Sequence, residues 1–152
     1  MPLLDAMLQK NIRMIDYECI REQAKHEGEI ANRLVAFGRY AGIAGAFDFF
    51  RGIGEYMLQK KYQSPFIFLG STYMYEDYDA MKVALAGVAR NIKKSGTPKP
   101  YSPLVFAVTG TGRVAQGILE VLEQLPHLKV DPDELKNLSE LAGADNRKII
   151  IS

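Results

Sequence analysis

Pro103-Leu104-Val105-Phe106-Ala107-Val108-Thr109-Gly110-Thr111-Gly112-Arg113-Val114-Ala115-Gln116-Gly117 is the stretch whose reading decides the fold. A short apolar, β-branched run stops at a glycine-rich turn, and helical spacing follows at once. Val114, Ile118, Val121 and Leu125 recur every three to four residues, as one face of a helix does. The turn reads Gly110-x-Gly112-x-x-Ala115, the dinucleotide-binding fingerprint with alanine in its third place. Gly110 permits the tight turn off the strand. Gly112 has no Cβ, so a pyrophosphate can reach the backbone, and Ala115 lets the helix lie close to the sheet. Phosphates there would meet N–H groups without intrahelical partners and the positive end of the helix dipole. The alternative is a glycine-rich turn that serves packing and binds nothing.

Working outward, the chain of 152 residues suits about one domain, and 47% hydrophobic with 24% charged residues describes an ordinary core-forming sequence. A net charge of +1 gives no electrostatic case for nucleic acid or an acidic membrane as partner. Cys19 is the single cysteine, so no disulfide forms within the chain; an intracellular, reducing compartment is expected, mitochondrial or cytoplasmic. Met1 to Asn11 has no apolar signal-peptide core, and no stretch approaches the ~18 apolar residues of a membrane span. The fingerprint begins near residue 104 of 152, which reads as a dinucleotide domain cut short on its C-terminal side.

From the start, Leu3 to Lys10 reads as a short amphipathic helix ended by Asn11 in a left-handed cap. Ile12 to Glu18 alternates as a strand does, and ends on two carboxylates, Asp16 and Glu18. Strand ends are where α/β proteins place ligands, although solvated charges would look the same. Arg21 to Glu29 is a mixed-charge surface segment, with His26 expected in solvent. A strand at Leu34 to Phe37 then turns at Gly38 into a long helix to about Lys61. Ile43, Phe47, Phe50, Ile53 or Gly54, and Met57 form its apolar face. Gly42, Gly45, Gly52 and Gly54 each disfavour that helix, by roughly 1 kcal/mol against alanine. So many glycines point to close backbone packing or to a ligand at the helix start. Arg33 and Arg39 flank the turn and could grip a carboxylate.

Phe66 to Leu69 fits a strand or a buried helix end equally well. A clear helix follows, with Tyr78, Met81, Leu85, Val88 and Ile92 in one stripe, acidic residues at its start, and Lys93, Lys94, Gly96 and Pro98 at its stop. The Pro-containing Thr97 to Ser102 reads as a linker, giving domains at 1–98 and 99–152. Beyond the fingerprint helix, His127 to Val130 is a second strand. Asp131 follows it where an acidic residue can bond the adenosine ribose. Asp133 and Glu134 open another helix through Leu135 and Leu138. Val130 or Ile149 to Ile151 should form an unpaired sheet edge that invites association of chains. No metal-ligand spacing is present. The fold class expected is α/β: part of a catalytic α/β domain, then the first half of a Rossmann-type dinucleotide domain.

Four segments carry a resemblance. Met1 to Asp5, Ile12 to Glu18, Arg33 to Gly45 and Phe106 to Gly112 resemble the lysine–2-oxoglutarate reductase region, the saccharopine-forming half of bifunctional aminoadipic semialdehyde synthase. Asp131-Pro132-Asp133-Glu134-Leu135 is similar to its Glu-Pro-x-Glu-Leu element. The wider group includes saccharopine dehydrogenases and, more distantly, alanine dehydrogenase and the N-terminal part of transhydrogenase. The resemblance implies an NADPH-dependent condensation of L-lysine with 2-oxoglutarate to saccharopine, with a saccharopine dehydrogenase half fused in the full-length protein. It implies substrate roles for Glu18, Arg33 and Phe37, and cofactor roles for Gly110, Gly112 and Ala115.

The resemblance also implies that a proton-transferring lysine and histidine lie upstream of Met1, so no catalytic residue is expected within these residues and the chain alone should be inactive. The spacer Ile20 to Asn32 is longer than the family's. Cofactor choice is divided: Arg113 could face a 2′-phosphate, whereas Asp131 would favour the free ribose of NAD. The alternatives are an NAD-dependent, lysine-forming saccharopine dehydrogenase, or a non-catalytic module binding a nucleotide or an amino acid.

Overall fold

The computed structural model describes residues 1–28, 30–137 and 145–152, and divides into two compact units, Met1–Phe37 and Gly38–Ser152. Unit 1 opens with α1 (Pro2–Gln9), in which Pro2 occupies a first-turn position where no N–H is needed. Asn11 follows at φ 48°, the left-handed conformation expected of it. The strand expected at Ile12 to Glu18 does not form. The chain is irregular there, then makes one 3-10 turn at Tyr17–Cys19, capped by the Asp16 carboxylate accepting the Glu18 N–H at 2.9 Å. Leu34 to Phe37 is not a strand either; Arg33 makes an isolated antiparallel bridge with Arg21. The physical reason is common to both. A strand needs a hydrogen-bonding neighbour and a buried face, and the described side chains of residues 1–37 are all exposed or half-buried.

Unit 2 holds the hydrophobic core. It starts with α2 (Gly38–Gln59), whose buried face is Gly42, Ile43, Ala46, Phe47, Phe50, Gly54 and Met57, with Ile53 half-buried against the same core. Ser64 then caps a single 3-10 turn at Pro65–Phe68, which buries Phe66 against Phe50 with ring centroids 5.0 Å apart. That turn is neither of the two forms the sequence allowed. Next comes α3 (Tyr78–Ser95). Its N-cap Asp77 accepts the Ala80 N–H at 2.8 Å, and Gly96 closes it. Met81, Leu85, Val88 and Ile92 are buried along one stripe, as their spacing requires. Lys99–Tyr101 is a short 3-10 turn inside unit 2, and Thr97 just before it is buried.

Among the described residues the sheet is parallel and three-stranded. β1 (Val105–Phe106) leads into α4 (Arg113–Leu122), and β2 (His127–Lys129) and β3 (Ile149–Ile151) follow. The strand order is β1-β3-β2, with β3 paired on both sides. Ile149 to Ile151 is therefore the sheet's centre, fully buried, and not an edge; the edges are β1 and β2. Three consecutive isoleucines buried on both faces are what a central parallel strand demands. A 3-10 helix at Pro132–Asn137 replaces the expected α-helix start, and Leu138 lies outside the described residues. Parallel strands joined through helices make the fold α/β.

Phe50 touches both sides of this core: it stacks on Phe66 and meets Phe106 edge-on at 5.4 Å. Phe50→Ala is expected to cost about 3–5 kcal/mol in urea unfolding. Val83, on the outer face of α3 and 73% exposed, is the control: Val83→Ala should stay within about 0.5 kcal/mol. Equal costs at the two positions would contradict this placement of the core.

Candidate functional site

Between β1 and α4 the chain makes the turn that the fingerprint requires. Gly110 sits at φ +91°, a conformation that L side chains rarely adopt, with open space around it. Gly112 is the N-cap of α4, extended at φ −74° and ψ 178°, and no side chain caps the helix. A Cβ built on Gly112 would meet nothing within 4 Å, so the ground in front of the first turn is clear. The first-turn N–H groups of α4 have no partner one turn back. Gln116 steadies the turn by donating from Nε2 to the Thr111 carbonyl at 3.4 Å. Ala115 is buried, and Arg113 is exposed beside the turn. These residues fit a pyrophosphate: glycine where a side chain would intrude, free amides, and a cation next to them. At the C-terminal end of β1 lies an apolar cavity of about 380 Å³, lined by Gly45, Phe49, Phe106, Thr109 and Ile118 among others.

What places α4 is chiefly another helix. A Cβ on Gly42 would fall on the Val114 carbonyl oxygen, and one on Gly117 would fall on the carbonyl oxygen of Arg39. Gly38 is near the same helix but less tightly, its built Cβ 3.1 Å from the Cβ of Arg113. Positions 38, 42 and 43 thus meet 113, 114 and 117 in ascending order, so α2 and α4 run side by side in the same direction. The glycines of α2 are answered in part: Gly42 permits backbone contact, whereas Gly45 and Gly52 have open space. One turn beyond Gly117, the Glu120 carboxylate accepts both Arg39 Nε at 2.8 Å and Nη2 at 2.7 Å, and also the Tyr78 hydroxyl at 2.8 Å. Arg39 is thereby committed to Glu120. Hydrogen bonding from Arg39 is the main cause that holds the Glu120 carboxyl below its ordinary range, while burial raises that of Tyr78.

Unit 1 brings together the residues expected to bind substrate. Arg33 Nη1 donates to Glu18 Oε1 at 2.8 Å, with both side chains substantially exposed. The pair is closed by the loop between them: Glu22 N–H donates to the Asn32 carbonyl, and Leu34 N–H to that of Ile20, each at 2.9 Å. The ring of Phe37 meets that of Tyr17 edge-on at 5.9 Å. Unit 1 therefore presents a cation and an anion in contact, with an aromatic pair built from flanking residues.

Over nearly its whole length, this chain is homologous to alpha-aminoadipic semialdehyde synthases. It is 43% identical over 138 residues to that protein of Arabidopsis thaliana, covering 91% of this chain and 12% of the relative. It is 38% identical over 149 residues to the mitochondrial alpha-aminoadipic semialdehyde synthase of Rattus norvegicus, covering 98% of this chain and 15% of the relative. The Bos taurus mitochondrial protein is 36% identical over the same 149-residue length. The chain thus spans about an eighth to a seventh of the curated relatives it matches. No protein-family model matches it. The alignment to the rat alpha-aminoadipic semialdehyde synthase is long enough to include both the Glu18–Arg33 pair and the fingerprint turn.

Asp131 is exposed in a tight turn, where its N–H donates to the Glu134 carboxylate at 2.8 Å and its carbonyl accepts the Glu134 N–H at 2.9 Å. It follows β2, and β3 stands between β2 and β1. A ribose-binding acid of the doubly wound kind ends the strand beside the fingerprint strand, and that neighbour is here β3. His127 hydrogen-bonds from Nδ1 to the Leu125 carbonyl at 2.8 Å, a structural role, and His26 is exposed. Among the described residues no three His, Cys, Asp or Glu side chains gather as a metal site, and no helix is long and apolar enough to cross a membrane. Sequence reasoning missed Gly117 and Glu120. The available signal was a glycine two positions past the fingerprint alanine, on a helix that had no need of it.

The Glu120 cluster makes stability depend on acid in a definite direction. A carboxyl whose folded value is depressed stabilises the fold above its unfolded value, and that contribution is lost as pH falls through the folded one. Glu120→Gln should therefore be less stable than the parent at neutral pH. The gap should narrow once pH drops below about 4.3. Urea midpoints measured from pH 7 to pH 3 test this; a gap that is constant or widens in acid would remove Glu120 from that role.

Proposed function

We propose that this chain is a segment of an oxidoreductase of lysine degradation, the reductase that joins L-lysine to 2-oxoglutarate and yields saccharopine with NADPH. The observation that carries the reading is the likeness to alpha-aminoadipic semialdehyde synthases running through both candidate sites at once. In this reading the fingerprint turn belongs to a Rossmann-type domain. Gly110 and Gly112 let the pyrophosphate approach, Ala115 seats the helix, and Arg113 faces the 2′-phosphate. The dinucleotide, when bound, supplies the hydride. Arg33 binds a substrate carboxylate with its planar fork, Glu18 orients the amine, and Phe37 borders the substrate. The Glu18–Arg33 contact supports these roles, because a ligand bearing both an amine and a carboxylate can replace each partner with the other's charge. The position of Asp131 beyond β3 favours NADPH over NAD.

Titrating NADPH and NADH against the 152-residue chain by fluorescence tests the cofactor half. NADPH should bind the more tightly, and Gly112→Val should abolish binding while leaving the urea midpoint unchanged, since the new side chain enters open space. Unaltered affinity in that variant would sink the assignment, and tighter binding of NADH would transfer it to the NAD-dependent saccharopine dehydrogenase. For the substrate half, Arg33→Lys in the full-length protein should raise the KM for 2-oxoglutarate about tenfold or more, as the bidentate geometry is lost. A change below twofold would return Arg33 to a structural pairing with Glu18.

A further inference from the structure

The fingerprint assigns small residues to the phosphate turn but leaves open what holds the helix behind it in place. In a doubly wound sheet that falls to the third fingerprint position, packed on the strands. Here β1 is only two residues long, and the dominant contact of α4 is with α2. Two residues outside the fingerprint make that contact specific. Gly117 lies against the backbone of Arg39 and Ile43, where any Cβ would press on atoms that cannot swing away. Glu120 receives three hydrogen bonds, from Nε and Nη2 of Arg39 and from the hydroxyl of Tyr78 at the start of α3.

We propose that Gly117 and Glu120 are positioning residues of the phosphate turn, locking α4 to α2 and thereby fixing where its first-turn N–H groups point. The inference rests on the dinucleotide reading above for its functional consequence. Hydrogen bonds from amides to a phosphate are directional, and a site must be held to within about half an ångström to keep them. A methyl at position 117 would force the helices apart by roughly an ångström or more, tilting the turn although neither 117 nor 120 touches a phosphate. Glu120→Ala removes the clamp without adding bulk, and alanine suits a helix interior, so that variant keeps its fold even if Gly117→Ala does not.

The test uses the whole 152-residue chain with two readouts. Thermal unfolding is followed with and without NADPH at 100 times the parent's Kd. A residue that is merely structural lowers Tm in both conditions and leaves the NADPH-induced shift as it was. A positioning residue weakens binding, and a tenfold loss of affinity roughly halves the shift, because stabilisation grows with the logarithm of ligand over Kd. We expect at least that loss for Glu120→Ala and more for Gly117→Ala. A full shift in both variants overturns the proposal. Amide hydrogen exchange without ligand is the second readout. The amides of Gln116 to Ile118 should exchange at least tenfold faster in the variants, while those of Leu85 and Val88 in α3 change less than threefold. Equal acceleration in both helices overturns the proposal. Absence of any NADPH shift in the parent overturns the dinucleotide reading instead, and the exchange result still decides whether these residues hold α4.

Discussion

The contact between the backbones of α2 and α4 is the constraint from which the rest of unit 2 follows. It exists because Gly42 and Gly117 carry no Cβ at the points where each helix meets the other's carbonyl oxygens. Close approach brings the N-termini of two parallel helices to the same end. It also sets the apolar residues of α2 against Val121 and Leu122, which continue into the sheet. Glycine in a helix weakens it intrinsically, by about 1 kcal/mol relative to alanine, so tertiary contact has to compensate. Here it does so twice, through packing and through the Arg39–Glu120–Tyr78 cluster. The turn at Gly110 to Arg113 opens the helix whose place that contact sets.

The helical parts of this arrangement were legible in the sequence. The stripes of α2 and α3 lie on the face that spacing gives, because a long periodic pattern with caps leaves a helix little choice. The same argument placed α4: Val121 and Leu125 are buried and Ile118 packs against the core, as their spacing requires. Val114 is the exception, half-exposed, and Ala115, Gly117 and Leu122 join the buried face, since the partner is a second helix reached through glycine. The strands were harder. Alternation at Ile12 to Glu18 permits a half-buried strand but does not suffice for one; with no paired neighbour among the described residues of unit 1, the same residues stay irregular. The order β1-β3-β2 is a non-local choice, made by a strand that follows β2 and inserts between its predecessors.

Legibility of the candidate sites divides along similar lines. Gly110 and Gly112 could be read because each answers a backbone requirement, one a left-handed φ and the other an empty approach. Glu18 and Arg33 were singled out separately from the resemblance, and their mutual contact at 2.8 Å is something only the structure supplies. Arg39 looked equally available for a carboxylate and proves to hold one from its own chain. The carboxylate of Glu120 could not be found from sequence, because nothing local distinguishes it from any exposed glutamate on an amphipathic helix. Its partners come from two other helices. Asp131 was singled out by its spacing from Gly110, and the structure adds that β3 stands between β2 and β1.

The central claim is that the turn opening α4 receives the phosphates of a dinucleotide. Amide-resolved NMR during addition of NADPH to the whole chain addresses it most directly. The account predicts that the largest shifts fall on Gly110, Gly112, Arg113 and Val114, with smaller ones spreading into α2 at Gly38 and Gly42. Shifts confined to the apolar cavity around Phe49 and Phe106, or no shifts at saturating NADPH, would contradict it.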